Sequence, residues 1–119
     1  MAHILVAEDD DNMREFLSRA LRRAGHSVEA AGDGLEAISI LQQREFDLLL
    51  ADVVMPGLDG VEVARRATQK NPQLKVMFIT GFAAVALRAR NGLRGAPRVL
   101  SKPFHLKDLV HQINDMLLA

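Results

Sequence analysis

Glu8, Asp9, Asp52, Thr80 and Lys102 are the side chains whose types and placement could do chemistry together. Each follows a short apolar run: Ile4-Leu5-Val6-Ala7 before Glu8-Asp9, Leu48-Leu49-Leu50-Ala51 before Asp52, Val76-Met77-Phe78-Ile79 before Thr80, and Val99-Leu100-Ser101 before Lys102. Taken singly they are bland. Acids after a strand often cap the next helix, and a threonine often ends a strand. Taken jointly they are not, because several carboxylates brought together repel one another unless a cation sits between them. An all-oxygen set that retains waters suits Mg²⁺. A carboxylate can also act as nucleophile on a phosphoryl group, giving an aspartyl-phosphate. Such a transfer needs a metal, a cation and hydrogen-bond donors around the phosphoryl oxygens. On that chemistry Asp52 is the nucleophile, Glu8 and Asp9 hold the metal, Lys102 pairs with one phosphoryl oxygen and Thr80 donates to another.

Convergence requires that the apolar runs be strands of one sheet. The run ending at Asp52 is continuous and is followed by Pro56, Gly57 and Gly60, so it reads as a strand buried on both faces with a sharp bend after the acid. A weak second strand spans about residues 26–31, centred on Val28. Between the strands apolar residues recur at helical spacing. Met13, Phe16, Leu17, Ala20 and Leu21 follow a cap at Asn12 and stop at Gly25. Leu35, Ala37, Ile38 and Leu41 follow a cap at Asp33. Val61, Ala64 and Ala67 lie on a helix from about 59 to 70. A short fourth helix is predicted over about residues 83–91, and a fifth around Leu106, Leu109, Val110, Ile113 and Leu117. Five strands alternating with five helices predict an α/β, doubly wound parallel sheet covered on both faces. In such a sheet the strand ends share one edge, where ligands bind.

The chain has 119 residues, with no composition break, repeat or linker, and reads as a single domain over 1–119. There is no cysteine, which fits a reducing, cytoplasmic setting. No apolar run approaches a membrane span, and no signal sequence opens the chain. Fifteen basic residues balance fifteen acidic ones, and there is no Trp or Tyr, so neither charge nor stacking argues for nucleic acid or a membrane surface.

Glu8-Asp9, the stretch from Asp52 through Met55-Pro56-Gly57 to Asp59-Gly60, Thr80-Gly81 and Lys102-Pro103-Phe104 occur in an order and at a spacing that resemble the receiver domain of two-component response regulators, over essentially the whole chain. The resemblance implies a flavodoxin-like (CheY-like) sheet of order 2-1-3-4-5, which sets strands one and three side by side. It implies Asp52 as phosphoacceptor and Glu8, Asp9, Asp52 and the Val54 backbone carbonyl as the Mg²⁺ site. Thr80 and Lys102 become the switch pair, Val54 and Phe82 flank the phosphoryl, and the Lys102–Pro103 peptide is cis. Asp10 aligns with a position that is not a ligand. The phosphodonor is a histidine kinase or a histidine phosphotransfer protein. The segments Phe78–Leu87 and Val99–Leu106 further resemble the stand-alone CpdR type of alphaproteobacteria, which controls substrate delivery to the ClpXP protease. No output domain is expected after the last helix, so the chain would act by binding partners, its only catalysis being its own phosphorylation and dephosphorylation. A phosphorelay intermediate or a chemotaxis-type receiver is the alternative within the family.

Receivers often carry an aromatic residue three positions before the lysine. Here it is Val99, which cannot reproduce an aromatic swing. Val99, Phe104 and His105 lie on the segment that receivers present to partners. His3, His26, His105 and His111 show no metal-ligand spacing and read as surface histidines. Arg14, Arg19, Arg22 and Arg23 read as a solvated helix face. An aspartyl-phosphate phosphatase would place a second acid two residues after the nucleophile, where this chain has Val54. A nucleotide or flavin site would need a glycine- or hydroxyl-rich loop where this chain has four acids, Glu8 to Asp11.

Overall fold

The computed structural model describes residues 2–81 and 97–118. In chain order these form β1 (His3–Ala7), α1 (Asp11–Arg23), β2 (Ser27–Ala31), α2 (Gly34–Gln43), β3 (Leu48–Asp52), α3 (Gly60–Lys70), β4 (Lys75–Thr80), β5 (Arg98–Ser101) and α4 (Leu106–Leu118). The described residues therefore hold five strands and four helices. The short helix predicted over about 83–91, and Phe82 with it, lies outside them. The strands form one parallel sheet of order β2-β1-β3-β4-β5. Among the described residues no helix is long and apolar enough to cross a membrane.

The period of two along each strand divides the core. Leu5, Ala7, Leu49, Ala51, Val76 and Phe78 face the side covered by α2 and α3, where they meet Ala37, Leu41, Val63, Ala64 and Ala67. Ile4, Val6, Leu48, Leu50, Met77 and Ile79 face the other side, against Leu17 and Leu21 of α1 and Leu109, Ile113 and Met116 of α4. All five residues of β3 are buried, as its uninterrupted apolar run requires of a central strand. Each large side chain so buried stabilises by about 1.5–3 kcal/mol relative to exposure.

Three helices begin on an aspartate. Asp10, Asp33 and Asp59 each accept a hydrogen bond from the backbone N–H three residues on, at Met13, Glu36 and Glu62. Each such cap is worth about 1 kcal/mol. The cap of α1 is therefore Asp10 rather than Asn12. Asp10 keeps an extended backbone and its carboxylate reaches the Met13 N–H at 2.8 Å, so the helix starts one residue before Asn12. His26 also departs from a plain surface residue. Its Nδ1 accepts from the Ala2 N–H at 3.2 Å, so the ring proton sits on Nε2, which donates to Asn114 Oδ1 at 2.8 Å. The ring thus ties the start of the chain to α4.

Candidate functional site

Register brings the chemistry together. Ala7 pairs with Ala51, so the residues that follow them, Glu8 and Asp52, leave neighbouring strands at the same level. Asp52 pairs with Ile79, which places Thr80 one step beyond. Thr80 pairs with Ser101, and Lys102 follows. Carboxylate oxygens of Glu8, Asp9 and Asp52 all lie within 4.8 Å of one another. Glu8 and Asp52 are buried and Asp9 is exposed.

Lys102 closes the cluster. Its Nζ donates to Asp52 Oδ2 at 2.7 Å and to Glu8 Oε1 at 3.1 Å. The other Asp52 oxygen, Oδ1, accepts the Val54 N–H at 3.0 Å, and Glu8 Oε2 accepts the Asp10 N–H at 3.1 Å. Burial pushes the Glu8 carboxyl above its ordinary range and the Asp52 charge adds to that push, while the Asp10 amide and Lys102 pull it back. For Lys102 burial works against the charged form, but its hydrogen bonds to Asp52 and Glu8 outweigh it and hold the ammonium above its ordinary value. The lysine is therefore a fixed positive charge at this edge.

Thr80 is fully buried, and its carbonyl accepts the Lys102 N–H at 2.8 Å, so strand end and lysine are locked together. The Lys102–Pro103 peptide is cis. Asp10 turns its carboxylate to the α1 cap and so away from ligand duty. Val54 is 55% exposed beside the cluster. The three-carboxylate set, all oxygen and held by fixed backbone, fits a hard divalent cation such as Mg²⁺.

The three residues expected from the sequence on a partner-facing segment differ in burial. Val99 is half-buried against the core on the α2 and α3 side, and Phe104 is half-buried against the core on the α1 and α4 side. Of the three, His105 is the exposed one. Arg14 moves the other way. Read as part of a solvated face, it donates from Nη1 to the Glu8 carbonyl at 2.9 Å and from Nη2 to Asp11 at 2.6 Å, bracing the loop that carries the acids. No local signal separates it from Arg19, which pairs with Glu15 on the exposed face of the same helix.

A family described as the response regulator receiver domain matches residues 4–114. The chain is 55% identical, over 119 residues, to the response regulator receiver protein CpdR of Brucella abortus, covering all of this chain and 99% of that one. It is 39% identical to the response regulator MprA of Mycobacterium leprae over 96% of this chain, and spans half of that relative's length. Among solved structures it is similar to the response regulator TrrA of Thermotoga maritima, in complex with Mg²⁺ and BeF, with a TM-score of 0.83, 29% identity and coverage of 98% of this chain and 99% of that one.

Proposed function

The chain belongs to the response regulator receiver family, and from that premise we propose that it accepts a phosphoryl group on Asp52 in a Mg²⁺-dependent His–Asp relay and thereby switches its protein contacts. The observation that carries this reading is the arrangement at Asp52. A buried carboxylate stands at the end of the central strand, held by the Val54 amide on one oxygen and by Lys102 on the other, with Glu8 and Asp9 within reach of one shared cation. In the proposed step Asp52 Oδ attacks phosphorus, an acyl-phosphate O–P bond forms, and the P–N bond to the donor histidine breaks with its electron pair left on the imidazole. Glu8, Asp9, Asp52 and the Val54 carbonyl would hold the ion. When bound, Mg²⁺ supplies charge neutralisation at the phosphoryl oxygens. Lys102 then exchanges its contact with Asp52 for a phosphoryl oxygen, and the Thr80 hydroxyl donates to another. The donor is a histidine kinase or a histidine phosphotransfer protein.

Full-length similarity to a CpdR protein supports a finer reading, in which the chain acts in the cytoplasm as a regulator of substrate delivery to the ClpXP protease. Intact-mass measurement after incubation with acetyl phosphate tests the first step. Wild type gains one phosphoryl group with Mg²⁺ and none in a chelator, and Asp52→Asn gains none in either, since its amide is not a nucleophile. A phosphorylated Asp52→Asn chain would assign the acceptor elsewhere. Degradation of a CpdR-dependent substrate by purified ClpXP, with the regulator added free or beryllofluoride-treated, tests the finer reading. Equal degradation with both forms and with none would overturn it.

A further inference from the structure

Two helices open on the same pattern. Asp33-Gly34-Leu35-Glu36 begins α2 and Asp59-Gly60-Val61-Glu62 begins α3. In each the aspartate is the cap and accepts from the glutamate N–H. The glycine between them is a poor helix residue, and capping does not call for it. Its reason is close approach. A Cβ on Gly60 would lie 2.1 Å from the Asp52 carbonyl oxygen, and a Cβ on Gly34 would lie 2.0 Å from the Leu58 carbonyl oxygen. These two contacts fall at opposite ends of the segment from Asp52 to Leu58. Gly60 also donates its N–H to the Val53 carbonyl at 2.9 Å. Within the segment Val54 orients the Asp52 carboxylate through its N–H, and Gly57, at φ +79, runs against the Leu35 side chain next to Gly34.

We infer that Gly34 is a positioning residue for the phosphoacceptor site. The bare backbone at the start of α2 seats the Leu58 carbonyl and so sets the path of residues 53–58, the Val54 amide and carbonyl included. The inference rests on the reading of Asp52, Glu8 and Asp9 as a Mg²⁺-dependent acceptor site. Adding a Cβ at Gly34 forces the Leu58 carbonyl away by about 1 Å before even a tight contact is reached, and a misplacement of about that size can cost on the order of 100-fold at a reacting centre.

The test compares wild type, Gly34→Ala and Leu41→Ala. Leu41 is a buried α2 residue seven positions beyond Gly34, whose loss lowers stability while leaving the bare backbone at the helix start as it is. Each ¹⁵N-labelled chain is titrated with MgCl₂ and timed in its phosphorylation by acetyl phosphate, at a temperature where its melting curve shows it folded. Gly34→Ala is expected to bind Mg²⁺ at least about fivefold more weakly, to be phosphorylated about tenfold more slowly, and to show a displaced Val54 amide resonance before metal is added. Leu41→Ala melts earlier but keeps the wild-type Mg²⁺ affinity and Val54 resonance. Should Gly34→Ala not fold, the wild-type titration decides. The Gly34 resonance must move with the same midpoint as that of Val54 while Leu41 stays put, and a static Gly34 overturns the inference. A folded Gly34→Ala with wild-type affinity and rate also overturns it and leaves the site reading standing. A wild type that binds no Mg²⁺ overturns the site reading itself.

Discussion

Both oxygens of the Asp52 carboxylate are engaged before any ligand arrives, one by the Val54 amide and one by the Lys102 ammonium. Each oxygen still has lone-pair capacity for the proposed attack, and Lys102, which also holds Glu8, can shift toward a phosphoryl oxygen without losing all contact. Once the acyl-phosphate has formed, its lifetime depends on whether a water can be held in line with phosphorus. Val54, two residues beyond the acceptor, is 55% exposed and can neither donate to nor accept from a water through its side chain. Phe82, expected from the sequence on the other side, lies outside the described residues. Slow self-dephosphorylation is expected, and Val54→Asn is expected to shorten the lifetime, by less than the roughly 10²–10⁴-fold that a well-placed acid or base contributes in favourable enzymes. Acyl-phosphate decay followed by intact mass checks this, and equal decay in the two chains contradicts it. That Glu8, Asp9, Asp52 and Lys102 would meet was legible in the sequence because each follows an apolar run. Arg14 and the double contact of Lys102 were not. The lysine meets Glu8 across 94 positions and Arg14 reaches a carbonyl, and neither contact leaves a local pattern.

At the scale of elements the legible features were those with a local cause: apolar period, capping residue, glycine stop. Asp33 was identified as a cap from its turn, and Asp59 at the helix start that it does cap. The start of α1 was misplaced because four consecutive acids and an asparagine offer several caps, and only backbone conformation selects Asp10. Helix α3 carries a further electrostatic feature. Glu62 accepts from Arg65 Nε at 2.9 Å and from Arg66 Nε at 2.7 Å, which hold its carboxyl down from 4.5 to about 2. A carboxyl depressed in the folded chain stabilises above its unfolded value and loses that contribution as pH falls toward its folded value. Glu62→Gln is therefore expected to melt slightly earlier than wild type at neutral pH, the effect being small because the pair is exposed. The gap should close as pH falls from 4.5 toward 2. Melting curves across that range test it, and a gap independent of pH would contradict it.

Across the whole molecule, alternating strands and helices announce a parallel sheet, but periodicity alone does not order the strands. The order came from the resemblance, and register then determined which strand ends meet. That register forces three carboxylates together with one lysine to offset them, so the metal-free fold carries like-charge repulsion at one edge. Two consequences follow. Asp9→Ala should melt above wild type in a chelator, and it should lose the gain that Mg²⁺ gives wild type, about 1.4 kcal/mol at ten times the dissociation constant. Thermal melts with and without MgCl₂ check both, and an Mg²⁺ gain equal to that of wild type in the variant would remove Asp9 from the site. The central claim, that Asp52 is the acceptor within this constellation, is tested most directly by the crystal structure of the chain grown with beryllofluoride and Mg²⁺. The account predicts a BeF₃ group on an Asp52 oxygen, one Mg²⁺ ion on Glu8, Asp9, Asp52 and the Val54 carbonyl, and Lys102 Nζ moved onto a fluorine. An adduct on another residue, or Lys102 still bridging Asp52 and Glu8 with no adduct formed, would contradict it.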